Sequence, residues 1–309
     1  MLKLYRPDGS GCTGQHVDSW EQTWQDVALD RAVRWVGISH LRPVFDRYFP
    51  RQGKILEGGC GAGQFVIHYH RKGYDIEGVD FAPKAIERLK TYDPTLQVRV
   101  GDVTRLPYDD RSMDCYYSGG VVEHFEEGPW TALAEARRVL RPEGRLLITV
   151  PFVNWIRSAQ ARCGIRNRWW DFGPVMLMPR RQFLRESSPV PGYQFAEYVF
   201  GAGEFARLLK QAGFTIETIH ACDLEWGEMC RFVAQRLRRV SGPPELGHRP
   251  LTDSPEAAPR QSRLRALWKE LFVTEAPRHL LLRPLVRSLA RISGHMVLFV
   301  CRPAPQRAA

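Results

Sequence analysis

Two stretches early in the chain have residue types that suit a small polar ligand. Residues 57–63 read EGGCGAG, and Gly59, Gly61 and Gly63 let a ligand approach the backbone closely. Asp80 follows 21 residues after Gly59, where a carboxylate can accept hydrogen bonds from both hydroxyls of a ribose. The glycine spacing differs from the G-x-G-x-x-G pattern of dinucleotide-binding proteins, which makes that class a distant alternative.

Two later stretches add groups that suit an aromatic base and a reacting atom. Asp102 follows Gly101 and can accept a hydrogen bond from the exocyclic amine of an adenine. Residues 118–125 read SGGVVEHF and place Glu123 beside His124. Four such elements in this order are far more specific than any one of them. We interpret them as parts of a single binding site.

Alternating strand and helix patterns predict how these stretches are brought together. Each stretch directly follows a predicted strand. The carboxyl ends of parallel strands lie at one edge of a sheet, where folds of this kind bind ligands. The alternation therefore predicts an α/β fold with a doubly wound, mostly parallel sheet. The predicted strands are residues 54–57, 74–80, 98–101, 113–118 and 145–150, and the predicted helices are residues 64–72, 82–91 and 130–140.

The flanking segments are less regular. Residues 1–25 show no clear period, and residues 152–190 interrupt the alternation with tryptophan, methionine and arginine. Residues 241–262 are rich in Pro, Ser and Gly and predict a loop. The further predicted helices are residues 26–48, 202–211, 264–272 and 284–294, and the further predicted strands are residues 196–200, 215–221 and 296–301.

The net charge is concentrated in one part of the chain. The 309 residues carry a formal charge of +10. Residues 1–230 contain 29 basic and 29 acidic side chains, whereas residues 231–309 contain 15 basic and 5 acidic ones. The basic part has three interpretations: a solvated arginine-rich helical surface, contact with an anionic membrane, or contact with an acidic partner such as a carrier protein.

Several classes of protein are not expected. No apolar run approaches the roughly 20 residues of a membrane-spanning helix. The start of the chain has no apolar segment typical of a secretory signal. The seven cysteines include no C-x-x-C pair, so we expect neither a zinc site nor a disulfide framework. We expect no metal, and a cytoplasmic protein that is either free or peripheral to a membrane.

Residues 55–151 resemble the core of class I S-adenosylmethionine-dependent methyltransferases, in the broad small-molecule group that includes quinone-biosynthesis-type enzymes. The match is carried by the stretches already described and by the helix and strand over residues 137–150. Residues 198–215 resemble a later helix and strand of that fold, and residues 294–301 resemble its last strand. The resemblance implies a Rossmann-like, seven-stranded sheet whose last strand is antiparallel, with inserted helices.

The resemblance also implies roles for single residues. S-adenosylmethionine would be the cofactor and S-adenosylhomocysteine the product. The three loop glycines would line the methionine part, braced by Glu57. Asp80 would hold the ribose, and Gly119 would lie beside the sulfonium. The residues with an implied role at the cofactor are Glu57, Gly59, Gly61, Gly63, Asp80, Phe81, Asp102, Val103 and Gly119. One departure is Gly58, which stands where the family more often has an apolar residue.

The acceptor is narrowed by residue types and by absent motifs. A general base is needed only when the acceptor must lose a proton, and His124 and Glu123 follow the fourth strand where the methyl group should lie. The alternative for each residue is a structural role, which caps the next helix or holds the loop. The chain lacks both an Asp/Asn-Pro-Pro-Tyr/Phe motif and a Pro-Cys pair. A small-molecule acceptor is favoured over nucleic acid, and an oxygen over nitrogen or carbon.

The domain organisation follows from the same patterns. We expect an N-terminal lid and helix in residues 1–50, with Tyr5, Trp20 and Trp24 covering the site or packing in the core. The core would span residues 51–222, including a substrate-pocket insertion over residues 152–195. A basic helical insertion (223–293) and the last strand (294–303) would follow. Two alternatives remain: a non-catalytic cofactor-binding scaffold, or a methyltransferase acting on a lipid-like or carrier-bound acceptor.

Overall fold

A computed structural model describes residues 2–7, 17–39, 41–154, 176–178, 193–224 and 294–305. The helices predicted over residues 264–272 and 284–294, and most of the 152–190 segment, lie outside the described residues. Within the described ranges, no helix is both long and apolar enough to cross a bilayer.

The described elements alternate between helix and strand through most of the chain. The helices are α1 Val17–Gln25, α2 Leu29–Ile38, α3 Arg42–Tyr48, α4 Gln64–His70, α5 Pro83–Tyr92, α6 Trp130–Val139 and α7 Ala202–Gln211. The strands are β1 Leu2–Pro7, β2 Ile55–Gly58, β3 Ile76–Asp80, β4 Gln97–Val100, β5 Met113–Gly119, β6 Leu140–Pro151, β7 Met176–Met178, β8 Tyr193–Val199, β9 Phe214–Leu224 and β10 Gly294–Pro303. A single 3-10 turn, Val122–His124, follows β5.

The main sheet has seven strands in the order β4-β3-β2-β5-β6-β10-β9. Strands β2 to β6 pair in parallel, whereas β10 is antiparallel to both of its neighbours, β6 and β9. The order in which the chain adds strands to the sheet reverses between β2 and β5. In open α/β sheets, ligands bind at such a reversal. The predicted doubly wound sheet with an antiparallel last strand is confirmed.

Alternating side chains on the strands bury two apolar layers, one on each face of the main sheet. Leu56 and Phe299 contribute to one layer, whereas Ile55 and Leu298 contribute to the other. All four side chains are fully buried. Helices must cover both faces of such a sheet, because its strands are apolar on both sides. This packing fixes the sheet edge on which the functional residues lie.

A second, three-stranded sheet has the order β7-β1-β8 and is antiparallel. The predicted strand at residues 196–200 corresponds to β8, but it belongs to this sheet and does not extend the main one. Residues 2–7 have no informative local period, yet they form β1. Strand β1 pairs with β8, which lies nearly 200 residues away, so its partner is not apparent from the local sequence.

The single helix predicted over residues 26–48 is wrong. The structure has α2 and α3 there, separated near Ser39. Pro43 lies in the first turn of α3, where the absence of its N–H is harmless, whereas inside a continuous helix it would remove a hydrogen bond. The Ser39 hydroxyl accepts a hydrogen bond from the Leu41 N–H at 3.1 Å and stabilises the break.

Candidate active site

The carboxyl ends of β2, β3 and β5 open into a cavity of about 300 Å³. This size is at the lower end of the range for small-molecule sites. The sequence-predicted residues that line it are Gly59, Asp80, Phe81, Asp102, Val103, Gly119 and His124. Glu57, Gly61, Gly63 and Glu123 are not among its lining residues. The structure therefore brings most of the predicted site together and places the rest behind the cavity wall.

The turn between β2 and α4 has a backbone shape that requires glycine. Gly59 and Gly61 have φ values of +74° and +50°, in the left-handed region that other residues rarely adopt. A Cβ on Gly61 would lie 2.7 Å from the ring of Trp24, and one on Gly59 would overlap Val121. The turn is therefore tightly enclosed, and its backbone lies close to the cavity.

Asp80 links the end of β3 to this turn. Its Oδ2 accepts a hydrogen bond from the Gly61 N–H at 2.8 Å, and its Oδ1 accepts one from the Ala82 N–H at 2.9 Å. The side chain is only 3% exposed, and burial raises its pKa, which hydrogen bonds from three backbone amides partly offset. A carboxylate has about four acceptor positions, so about one remains for a hydroxyl of a ligand.

Glu57 lies beneath the turn and not in the cavity wall. It is almost fully buried, and burial raises the pKa of its carboxyl well above the usual range. A hydrogen bond from the Val66 N–H opposes this increase, and the charge of Asp80 adds to it. Glu57 is thus placed to connect β2 with α4, as a brace for the turn would be.

The two residues predicted to contact the adenine differ in their exposure. Val103 is buried in the cavity wall, whereas Asp102 is exposed at the rim. The Asp102 Oδ1 accepts a hydrogen bond from the Thr104 N–H at 2.8 Å, which fixes the loop after β4. The second carboxylate oxygen and the Val103 backbone form an edge suited to a planar base.

His124 reaches the cavity from the 3-10 turn after β5. Its Nδ1 lies 2.9 Å from the carbonyl oxygen of Ala196 on β8. Because a carbonyl oxygen only accepts, this contact assigns the proton of the neutral ring to Nδ1. The lone pair is then on Nε2. Trp20 packs its ring against the imidazole at 4.8 Å, nearly perpendicular to it.

Glu123 lies behind His124 and faces a second carboxyl. Its side chain is 1% exposed, and its Oε2 has no hydrogen-bond partner among the described residues. Burial raises the pKa of Glu123 well above its usual range, and the nearby charge of Glu197 adds to the increase. Of the two candidate bases, only His124 lines the cavity.

Helix α1 covers one side of the cavity. Trp20 and Trp24 stack on each other at 5.5 Å and both line the cavity. The helix is held to α5 by an ion pair between Glu21 and Lys84 at 2.6 Å, and by Arg88, which donates to the carbonyl oxygen of Trp24. The sequence left a lid or core packing open for these tryptophans, and the structure places both rings in the cavity wall. The side chain of Tyr5 lies outside the described residues.

The remaining titratable candidates from the sequence are away from the cavity. His68 is in α4, where burial lowers its pKa, and Cys115 is fully buried within β5. His16 lies outside the described residues. The sequence reasoning missed Glu197, which lies on β8 and approaches Glu123. A signal for it was present, because a glutamate interrupts the apolar run that follows Gln194 in the segment YQFAEYVF.

The fold and site define a class of protein. A doubly wound sheet with an antiparallel inserted strand, a glycine turn after its first parallel strand and a carboxylate after the next are the features of the class I methyltransferase fold. Residues 56–148 match the family model described as "Methyltransferase domain". Over these residues the chain is similar to this methyltransferase family, and its fold is that of class I S-adenosylmethionine-dependent methyltransferases.

Curated proteins are similar in sequence to part of this chain. An uncharacterised 37.1 kDa protein in transposon TN4556 of Streptomyces fradiae is 43% identical over 120 residues, 37% of this chain and 34% of its own length. A malonyl-[acyl-carrier protein] O-methyltransferase of Halorhodospira halophila is 29% identical over 167 residues, 51% of this chain and 55% of its own length. The chain thus spans at most about half the length of these relatives.

Solved structures share the fold at low identity. A S-adenosylmethionine-dependent methyltransferase from Methanosarcina mazei has a TM-score of 0.50 and 15% identity, covering 85% of this chain and 98% of its own. A chain from the complex of the Haloferax volcanii Trm112 methyltransferase activator with a proposed methyltransferase has a TM-score of 0.51 and 15% identity, covering 93% and 98%. At this identity the likeness concerns the fold alone.

Proposed function

We propose that the protein transfers the methyl group of S-adenosylmethionine to an oxygen atom of a small-molecule acceptor. The observation that carries this proposal is a single cavity lined by Gly59 and Asp80 on one side and His124 on the other, covered by Trp20. A cofactor and an acceptor can therefore meet in one enclosed space, as an in-line displacement requires.

The residues around the glycine turn fit the cofactor. Asp80 would accept a hydrogen bond from the ribose, since about one of its acceptor positions remains. Asp102 and the Val103 N–H would hold the adenine edge, and Gly119 would lie beside the sulfonium. Gly59 lines the cavity, so the backbone of the turn would lie against the methionine part there. Glu57 and the two inner glycines would act indirectly, by holding the turn in shape.

The cofactor supplies the reactive carbon, and this chain supplies orientation and exclusion of water. The methyl carbon moves from sulfur to the acceptor oxygen, sulfur keeps the bonding electron pair, and the hydroxyl proton must leave. Trp20, Trp24 and Phe125 form an aromatic wall around this space. The Nε2 lone pair of His124 can take this proton, since His124 lines the cavity after β5.

The proposed organisation keeps the boundaries expected from the sequence. Residues 1–50 form the lid and its following helices, residues 51–222 the core, and residues 294–303 its last strand. Residues 152–195 would contribute to the acceptor pocket, and residues 223–293 would form the basic insertion. The partner proposed for the cavity is a small-molecule acceptor, not nucleic acid.

The test is methyl transfer to a matched set of acceptors. The protein is incubated with S-adenosylmethionine and phenols, carboxylic acids or amines of similar size, and S-adenosylhomocysteine is quantified. We expect turnover with an oxygen acceptor, and His124→Ala should lower kcat by about 100-fold or more. The matched control is His70→Ala, since His70 bonds to Thr95 and does not line the cavity. Tight cofactor binding without turnover on any acceptor would contradict the proposal.

A carrier-bound acid is the second candidate acceptor. It is favoured by the malonyl-[acyl-carrier protein] O-methyltransferase of Serratia marcescens, 31% identical over 96 residues, and by the excess of basic residues after residue 230. An acidic carrier would be attracted to that charge. The test measures kcat/KM for a free thioester acid and for the same acid on a carrier protein, at low and at high salt. It distinguishes a free small-molecule acceptor from a carrier-bound one. Equal kcat/KM for both forms would exclude this candidate.

A further inference from the structure

Three potential metal ligands meet beside the cavity. Glu123 and His124 come from the turn after β5, and Glu197 comes from β8 in the other sheet. One ligand atom from each of the three side chains lies within 4.8 Å of the other two. Residues far apart in sequence thus place two carboxyl groups and one imidazole at a single point.

Two members of this cluster are buried carboxyl groups. Glu123 and Glu197 are 1% and 6% exposed. The charge of Glu197 acts on the Glu123 carboxyl. The Glu123 Oε2 is buried and has no hydrogen-bond partner in the described part of the chain. Buried carboxylates are normally paired with a positive charge or coordinate a metal.

We infer that Glu123, His124 and Glu197 bind a divalent transition-metal cation, with Zn²⁺ and Mn²⁺ as the best fits. Two carboxylate oxygens and one imidazole nitrogen suit these cations. The hydrogen bond from His124 Nδ1 to the Ala196 carbonyl oxygen is the contact that orients metal-binding histidines, and it leaves Nε2 as the ligand. Three protein ligands leave at least one position open, as in catalytic sites.

The spacing is compatible with such a site. With bonds of roughly 2.1 Å in a tetrahedral arrangement, ligand atoms lie about 3.4 Å apart. The ligand atoms of the cluster, one from each side chain, lie within 4.8 Å of one another, so their separations exceed this spacing by about 1.4 Å at most.

The open position gives the cation a role in the proposed reaction. His124 lines the cavity, so an acceptor oxygen bound there would complete the coordination and become easier to deprotonate. In this arrangement His124 is a ligand and not the proton acceptor, so the proton of the acceptor oxygen passes to solvent water when that oxygen binds the cation. This role of the cation rests on the proposed function, whereas binding of the cation does not.

The first experiment measures binding without cofactor or acceptor. The full chain is stripped with a chelator and titrated with Zn²⁺ or Mn²⁺ by calorimetry, and Co²⁺ is added to record its visible absorption. We expect a tight site with one cation per chain and absorption bands typical of inner-sphere nitrogen and oxygen ligands. Glu123→Gln and Glu197→Gln should each weaken this binding by at least 10-fold, because they remove a ligand charge but keep the side-chain shape.

The control is Glu126→Gln, since Glu126 is near the cluster but exposed and paired with Lys3. Thermal unfolding of each variant checks the fold, and Glu197→Gln serves if Glu123→Gln does not fold. The inference is overturned if the parent protein binds no cation, or if Glu197→Gln binds it as tightly as Glu126→Gln does.

The second experiment separates this inference from the proposed function. Methyl transfer is measured with and without the bound cation. If the protein binds the cation but transfers no methyl group to any acceptor, the inferred cation site stands and the proposed function is contradicted. Methyl transfer that is unchanged in the stripped protein contradicts the role of the cation at the acceptor.

Discussion

At the scale of single residues, Asp80 combines a structural and a binding position in one carboxylate. It holds the glycine turn through the Gly61 N–H and the start of α5 through the Ala82 N–H, and it still lines the cavity. A change at Asp80 should therefore act on the cofactor and on the turn that surrounds it.

Asp80→Asn should weaken S-adenosylmethionine binding by roughly 10- to 150-fold, the loss expected for a hydrogen bond to a charged group. The amide cannot accept from both backbone N–H groups and from the ribose. Isothermal titration calorimetry measures the affinity. Asp109→Asn, at an exposed loop position away from the cavity, should leave it unchanged. If the two variants bound S-adenosylmethionine with equal affinity, Asp80 would not be a cofactor-binding residue.

Glu57→Gln should change how stability depends on pH. Burial raises the folded-state pKa of Glu57 above its unfolded value of 4.5, so the folded protein holds this proton more tightly. Its contribution to stability is greatest below the unfolded pKa and is lost as pH rises toward the folded pKa. The slope is at most about 1.4 kcal/mol per pH unit.

The Gln variant cannot ionise, and its side-chain oxygen can still accept from the Val66 N–H. It should therefore lose less stability than the parent when denaturant unfolding is repeated at pH 5 and pH 7.5. Glu127→Gln, at an exposed position, is the comparison. A parallel decline in the parent and the Glu57→Gln variant would show that Glu57 does not contribute in this way.

At the scale of elements, the lid depends on how closely α1 packs on the glycine turn. Trp24 contacts the position where a Gly61 side chain would begin, and α1 is held to α5 by the Glu21–Lys84 ion pair. The lid and the turn therefore form one packed unit. A methyl group placed between them should move the lid.

Gly61→Ala tests this contact, and Gly73→Ala is its control. Both glycines have a positive φ, but a Cβ at Gly73 meets nothing within 4 Å. Each variant should lose about 1–2 kcal/mol of unfolding free energy from backbone strain. Only Gly61→Ala should also lose cofactor affinity, by several-fold or more in calorimetry. If both variants bind the cofactor as the parent does, the Trp24 contact does not influence the site.

At the scale of the whole molecule, β10 joins the two halves of the sheet. It lies between β6 and β9, although it is last in the chain. Phe299 on β10 is fully buried and packs against Phe205 of α7 at 5.4 Å. The last described strand is thus part of the core that supports the cavity edge.

Phe299→Ala should lower the free energy of unfolding by about 3–5 kcal/mol, because a buried aromatic ring is removed and a cavity remains. Urea denaturation measures the loss. Ile219→Ala is the control on the neighbouring strand β9, where Ile219 is 49% exposed and should contribute less than about 0.5 kcal/mol. Similar losses for the two variants would mean that β10 is not a core strand.

The sequence alone determined the fold class and much of the cofactor edge. Glycine positions, strand–helix alternation and the carboxylates at 80 and 102 are local patterns, because helix and strand periodicity and turn geometry act over a few residues. Parallel strands then necessarily bring these residues to one edge. The sequence left the place of Trp20 and Trp24 open between a lid and the core, and the packing of α1 puts both in the cavity wall.

Only the tertiary structure decided what surrounds His124. The pairing of β1 with β8, the approach of Glu197 to Glu123 and the hydrogen bond from His124 to Ala196 join segments about 70 to 200 residues apart. Such contacts depend on the burial of β8 against the turn after β5, and no local period in the sequence encodes them. The residues at the cofactor edge could therefore be predicted from the sequence. The approach of Glu197 to Glu123, and the cation site inferred from it, required the folded structure.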